Sequence, residues 1–181
     1  MSPFENGPDK PSHNLRTWIS NFDDEVALEI GRLVLAFSHL EFTFKALIAE
    51  RMGLNDGDNL AKVLLMTSGN TFSQDVQLFR SLEQTPGVSD DALELDKLVS
   101  KSAINASTKR NEVVHAWYLE VGDDVKIFMH WKPKPTATYG YSTRAGPLDA
   151  NMVRDALDQV LSAFPVIQDL PEYERIFDKG D

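Results

Sequence analysis

The run Lys109-Arg110-Asn111-Glu112-Val113-Val114-His115 places a guanidinium, a carboxamide and an imidazole close together in a chain that has four histidines and no cysteine. No other segment concentrates reactive side chains in this way. On a helix turning about 100° per residue, Asn111 and His115 share a face, while Arg110 and His115 point roughly 140° apart. The arginine stem is long enough to curl across. The pair could then bracket an anion, with the planar fork on phosphate oxygens and the imidazole exchanging a proton near neutral pH. Phosphodiester chemistry is the natural use of such a pair.

The element that must carry these groups is a helix opened by Ser89, with Asp90 and Asp91 at its positive end. Leu95, Leu98, Val99, Ser102, Ala106, Arg110, Val113 and Trp117 recur along it at steps of three and four. This periodicity assigns Arg110 to the buried side, where a charge needs a partner. The best candidate is Glu41, which interrupts the apolar stripe of the first long helix: Val26, Ile30, Leu33, Val34, Phe37, Leu40, Phe44, Leu47 and Ile48. Two readings are open. Glu41 and Arg110 form a structural bridge beside an ordinary, partly buried His115, or Glu41 orients Arg110 or His115 for a substrate. Lys109 falls on another face and is expected in solvent, as is His39, just off the first stripe.

That first helix is expected to start at Asp23 or Asp24 and run to about Met52, closed by Gly53. A short helix follows from near Asp58. Thr71-Phe72-Ser73-Gln74 has the capping-box form and opens a helix to about Gln84, ended by Pro86-Gly87. Beyond the motif the period changes. Trp117, Leu119 and Val121, then Val125, Ile127, Met129 and Trp131, alternate with other residues around Gly122-Asp123-Asp124, the pattern of a β-hairpin near 117–131. Lys132-Pro133-Lys134-Pro135 forbids a continued central strand, and 136–141 is left open between an edge strand and a loose arm. A last helix runs from Leu148-Asp149 to Pro165. The expected fold is mainly α: an up-and-down helical bundle with a small antiparallel β-hairpin after the motif helix. Residues 1–14 read as a flexible leader, 15–165 as one domain and 166–181 as a C-terminal tail.

With 181 residues, 42% apolar and 25% charged, the chain suits one globular domain. A formal charge of −10 rules out a broad basic footprint for nucleic acid, so an RNA would have to be held locally. No apolar run approaches a membrane span and no basic-then-apolar signal pattern opens the chain, so a cytoplasmic location away from membranes is expected. Thiolate metal sites are excluded by the lack of cysteine. The His-Glu-x-x-His and Glu-x-x-His patterns and glycine-rich phosphate loops are missing too, so neither a metal nor a cofactor is expected.

The spacing Arg110-Asn111-x-x-x-His115, late in one of several amphipathic helices, resembles the signature of the HEPN superfamily. There an Arg, a polar residue, three variable residues and a His mark an all-helical domain. The resemblance covers roughly residues 24–118. It implies a metal-independent endoribonuclease of a toxin-antitoxin or defence system, working as a homodimer whose two motifs line one cleft, with an antitoxin or regulatory protein as a further partner. His115 would act as general acid or base on the 2′-hydroxyl or the leaving oxygen. Arg110 would stabilise charge on the phosphate, and Asn111 would bond the substrate or fix His115. Other members are inert, which implies the alternative of a binding or scaffold protein. A third reading, a nucleotide-binding bundle, would use Trp117 and Tyr118 as pocket walls.

Overall fold

The computed structural model describes residues 23–54, 57–82, 89–121, 125–133, 141–147 and 149–177, with the backbone alone described at 57–58 and in the three strands. The leader and the end of the tail therefore lie outside the described residues, as does the Gly122-Asp123-Asp124 link.

Helix α1, Asp24–Arg51, is the axis of the molecule. Asp23 caps it, its carboxylate accepting from the Glu25 and Val26 amides at 2.8 and 3.4 Å. At the other end Gly53 adopts φ 69°, a conformation that costs glycine little. This lets the Leu54 amide reach the Ala49 carbonyl at 2.8 Å and the Gly53 amide reach Glu50 at 2.9 Å, satisfying two terminal carbonyls. Of the expected stripe, Val26, Leu33, Phe37, Leu40, Phe44, Leu47 and Ile48 are buried.

Helices α2, Gly57–Met66, and α3, Phe72–Leu82, follow. The capping box at the start of α3 closes both ways, with Thr71 N donating to Gln74 Oε1 at 2.7 Å and Gln74 N to Thr71 Oγ1 at 3.3 Å. Phe72 meets Phe37 and Phe44 edge-on at 5.1 and 5.2 Å, and Phe79 meets Phe44 at 5.4 Å, locking α3 onto α1. Helix α4, Asp90–Val114, carries the motif. Its buried side is Asp96, Val99, Ser100, Ala103, Ala106 and Val113, whereas Leu98 is exposed. The true seam is thus rotated from the apolar stripe, because it accepts an aspartate and a serine.

After α4 the backbone forms strands β1, Trp117–Val121, β2, Val125–Pro133, and β3, Tyr141–Pro147, in the antiparallel order β1-β2-β3. Trp117 pairs with Met129 and Val121 with Val125; Ile127 pairs with Pro147 and Pro133 with Tyr141. Helices α5, Ala150–Leu161, α6, Ala163–Gln168, and α7, Pro171–Phe177, complete the described chain.

The expected fold class is corrected. The described packed body is helical, and the extended segment is not a two-stranded hairpin but a three-stranded antiparallel sheet whose strands pack chiefly on one another among the described residues. Period-two alternation reports extended backbone, but it cannot say how many such segments pair, and Tyr141–Pro147 adds the third strand. The helix packed most extensively on α1 is α5, from the far side of the strands, where Arg154 Nε donates to the buried Glu29 at 3.1 Å. Pro165, read as a stop, instead sits in the first turn of α6, where a proline's missing N–H costs nothing. Beyond it, Ile167 and Leu170 join the core.

Candidate functional site

The site lies at the C-terminal end of α4, against the middle of α1. His115 is the residue that ends the helix, its amide still bonded to the Asn111 carbonyl at 3.2 Å. Because the chain leaves the helix here, the imidazole is exposed, while Arg110 and Asn111 are half-buried. The arginine does curl across. Its Nη1 donates to Asn111 Oδ1 at 2.9 Å and lies 3.1 Å from His115 Nε2. A guanidinium can only donate, so this contact is a hydrogen bond only when Nε2 is an acceptor and the imidazole is neutral. The other side of the guanidinium rests over Phe37, 5.1 Å from the ring centroid, a cation–π contact that fixes its plane. Arg110 Nε is buried with no hydrogen-bond partner among the described residues.

All three motif side chains are therefore in one cluster. Glu41 stands nearby on α1 but forms no ion pair with Arg110 among the described residues. Its influence is through space. Burial pushes its carboxyl above the ordinary 4.5, Arg110 and Lys45 pull it back, and Asp75 pushes it up again. Lys109 pairs with Glu112 at 3.0 Å and His39 is exposed, stacked on Phe164 at 5.3 Å; neither faces the cluster. The side chains of Trp117 and Tyr118 lie outside the described residues. Among the described residues no group of His, Asp and Glu could hold a metal ion, and no helix is long and apolar enough to cross a membrane.

Because the Glu41 carboxyl is raised, the native state binds more protons than the unfolded chain between 4.5 and the raised value, so stability falls as pH rises through that window. Glu41→Gln is accordingly expected to match or exceed wild type in stability at pH 7, with the advantage vanishing as the pH drops to 4.5. Denaturant unfolding across a pH series reads this directly. A less stable Glu41→Gln protein at pH 7 would show that the carboxylate supports the fold.

A second polar cluster escaped the sequence reading. Arg51, at the end of α1, holds Asp96 of α4 through two hydrogen bonds of 2.6 and 2.7 Å, Glu172 of α7 at 3.1 Å and the Phe79 carbonyl of α3 at 3.1 Å. Its guanidinium lies 3.6 Å from the Phe79 ring centroid. The available signal was Asp96, three residues before Val99 on the buried row. Its position inside the core, with its partners consumed, makes this cluster a clamp between helices. Compared with family models, curated proteins and solved structures, the chain matches none.

Proposed function

We propose that this chain is a HEPN-like, metal-independent endoribonuclease, acting in the cytoplasm within a toxin-antitoxin or defence system and held in check by an antitoxin or regulatory protein. The observation that carries this reading is the 3.1 Å approach of Arg110 Nη1 to an exposed His115 Nε2. An incoming phosphodiester competes for the guanidinium, which prefers an anion to a neutral nitrogen. Nε2 is then released to take the 2′-hydroxyl proton. The 2′-oxygen attacks phosphorus, the 5′-oxygen leaves with a proton from a second acid, and a cyclic phosphate remains. Arg110 stabilises the charge that builds on the phosphate, and Asn111 holds the guanidinium in position.

A homodimer would supply that second acid as the His115 of the other copy. Leu28, Leu35 and Phe42 are exposed on α1 at a spacing of seven, the period of a helix–helix seam, and Leu35 is 72% exposed. Leu35→Arg is expected to give a monomer by light scattering and leave the thermal midpoint of the fold unchanged. A dimer of unaltered mass would place the seam elsewhere.

The alternative is an inert binding or scaffold domain. It is favoured by the same Nη1 being already engaged with Asn111 and His115, and by the −10 charge. The two readings separate when wild type and the Arg110→Ala/His115→Ala double variant are incubated with total RNA and a chelator. Cleavage by wild type alone, leaving cyclic-phosphate ends, supports the nuclease. No cleavage by either folded protein favours the scaffold.

A further inference from the structure

A groove of about 390 Å³ runs between α3 and α4, on a different stretch of α4 from the motif. Gln77 and Arg80 line it from α3; Lys97, Ser100 and Lys101 line it from α4. On each helix the lining residues are three or four apart, so each presents one continuous stripe to the other. Its apolar lining is Val76 and Ile104, and among the described residues no acidic or aromatic side chain contributes. Three cations thus converge on one groove in a chain whose formal charge is −10. Lys97 is shared with Glu94 at 2.6 Å, but Arg80 and Lys101 have no hydrogen-bond or ion-pair partner among the described residues.

Ser100 points to what belongs there. It is 5% exposed, and its Oγ is buried with no hydrogen-bond partner among the described residues. Helical serines commonly spend this hydroxyl on a carbonyl one turn back, as Thr108 does on Ile104 at 2.9 Å. A buried hydroxyl left without a partner calls for an explanation, and in a groove lined by cations an anion that accepts from it is the simplest one.

We propose that the α3–α4 groove is a binding site for phosphate groups, with Arg80 and Lys101 supplying charge and Ser100 a buried donor. With no ring among its described lining for a base to stack on, it recognises the phosphate and not the nucleobase. This assignment goes beyond the nuclease reading and does not depend on it. The phosphate can come from a small phosphorylated molecule or from an RNA strand.

The test is calorimetric titration of the full-length protein at low ionic strength with inorganic pyrophosphate and, separately, with a short 2′-O-methylated oligoribonucleotide that cannot be cleaved. The Arg80→Glu/Lys101→Glu variant is expected to bind at least about tenfold more weakly, since charged hydrogen bonds are lost and repulsion is added. Ser100→Ala should weaken binding a few-fold without lowering the thermal midpoint, an outcome that a structural serine would not give. His115→Ala should bind pyrophosphate as wild type does, separating this groove from the motif. Binding of pyrophosphate alone identifies a small ligand, and binding of the oligonucleotide identifies an RNA backbone. The proposal is overturned if wild type binds neither probe, or if the charge-reversed variant binds as well as wild type.

Discussion

His115→Ala is expected to lower RNA cleavage by about 10²–10⁴-fold, the range for loss of a general acid or base, while leaving the fold intact. The imidazole is exposed and its one side-chain hydrogen-bond contact among the described residues is with Arg110, so its loss removes little packing. Surface changes of this kind stay within about 0.5 kcal/mol. Arg110→Ala should lose activity by a comparable factor, about 10²–10³, but it should behave differently in unfolding. It removes the contact over Phe37 and at the same time relieves a buried Nε that has no described partner. Arg110→Lys is not a rescue: an ammonium cannot present two donors in one plane to a phosphate. Rates on a defined RNA, with end-group analysis and melting curves for each variant, check the set. A His115→Ala protein that still cleaves at the wild-type rate sinks the mechanism, whatever the fold.

The motif was legible because its geometry is local. Four-residue spacing puts Asn111 under His115, and the length of one arginine stem decides whether Arg110 can join them; both follow from helix parameters and covalent reach. The ends of α1 and the start of α3 were legible for the same reason, since Asp23, Gly53 and the Thr71–Gln74 box act within a few residues of themselves. What the residues did not reveal was long-range. Periodicity put Glu41 and Arg110 on inward rows of two helices, but a row gives a direction and not a separation. The arginine turned to its own helix, and Glu41 acts on it only through space. The extended segment failed in the same way. Alternation over 117–131 reports extended backbone, but the pairing of Tyr141–Pro147 with the second strand is a contact between segments, which alternation does not carry. Pro165 misled because a proline that ends one helix is equally at home in the first turn of the next.

The clamp at Arg51 was the least legible feature, and it is where the largest loss of stability is expected. Arg51 and Asp96 have side chains only 5% and 6% exposed, so neither charge can turn to solvent if the other is removed. Asp96→Ala strips two short hydrogen bonds from a buried guanidinium and leaves its charge to Glu172 and its remaining partners. Breaking one side of a buried pair costs about 3–5 kcal/mol, and at about 2–4 °C per kcal/mol for a chain of this size the melting temperature should fall by roughly 6–20 °C. Arg51→Met with Asp96→Leu should recover much of that loss, because no charge is stranded. The clamp also has a consequence for the site. Asp96 and Arg110 lie on one helix, about 21 Å apart at 1.5 Å per residue, and pinning α4 to the end of α1 at Asp96 sets which turn of α1 the motif meets. The plane of the guanidinium over Phe37 is then fixed by an ion pair far from it. Asp96→Ala, assayed below its own melting temperature, is therefore expected to lose cleavage several-fold through poor placement of Arg110, far less than His115→Ala loses. Full activity in a destabilised Asp96→Ala protein would show that the apolar seam of Val99, Ala103, Ala106 and Val113 holds the register unaided.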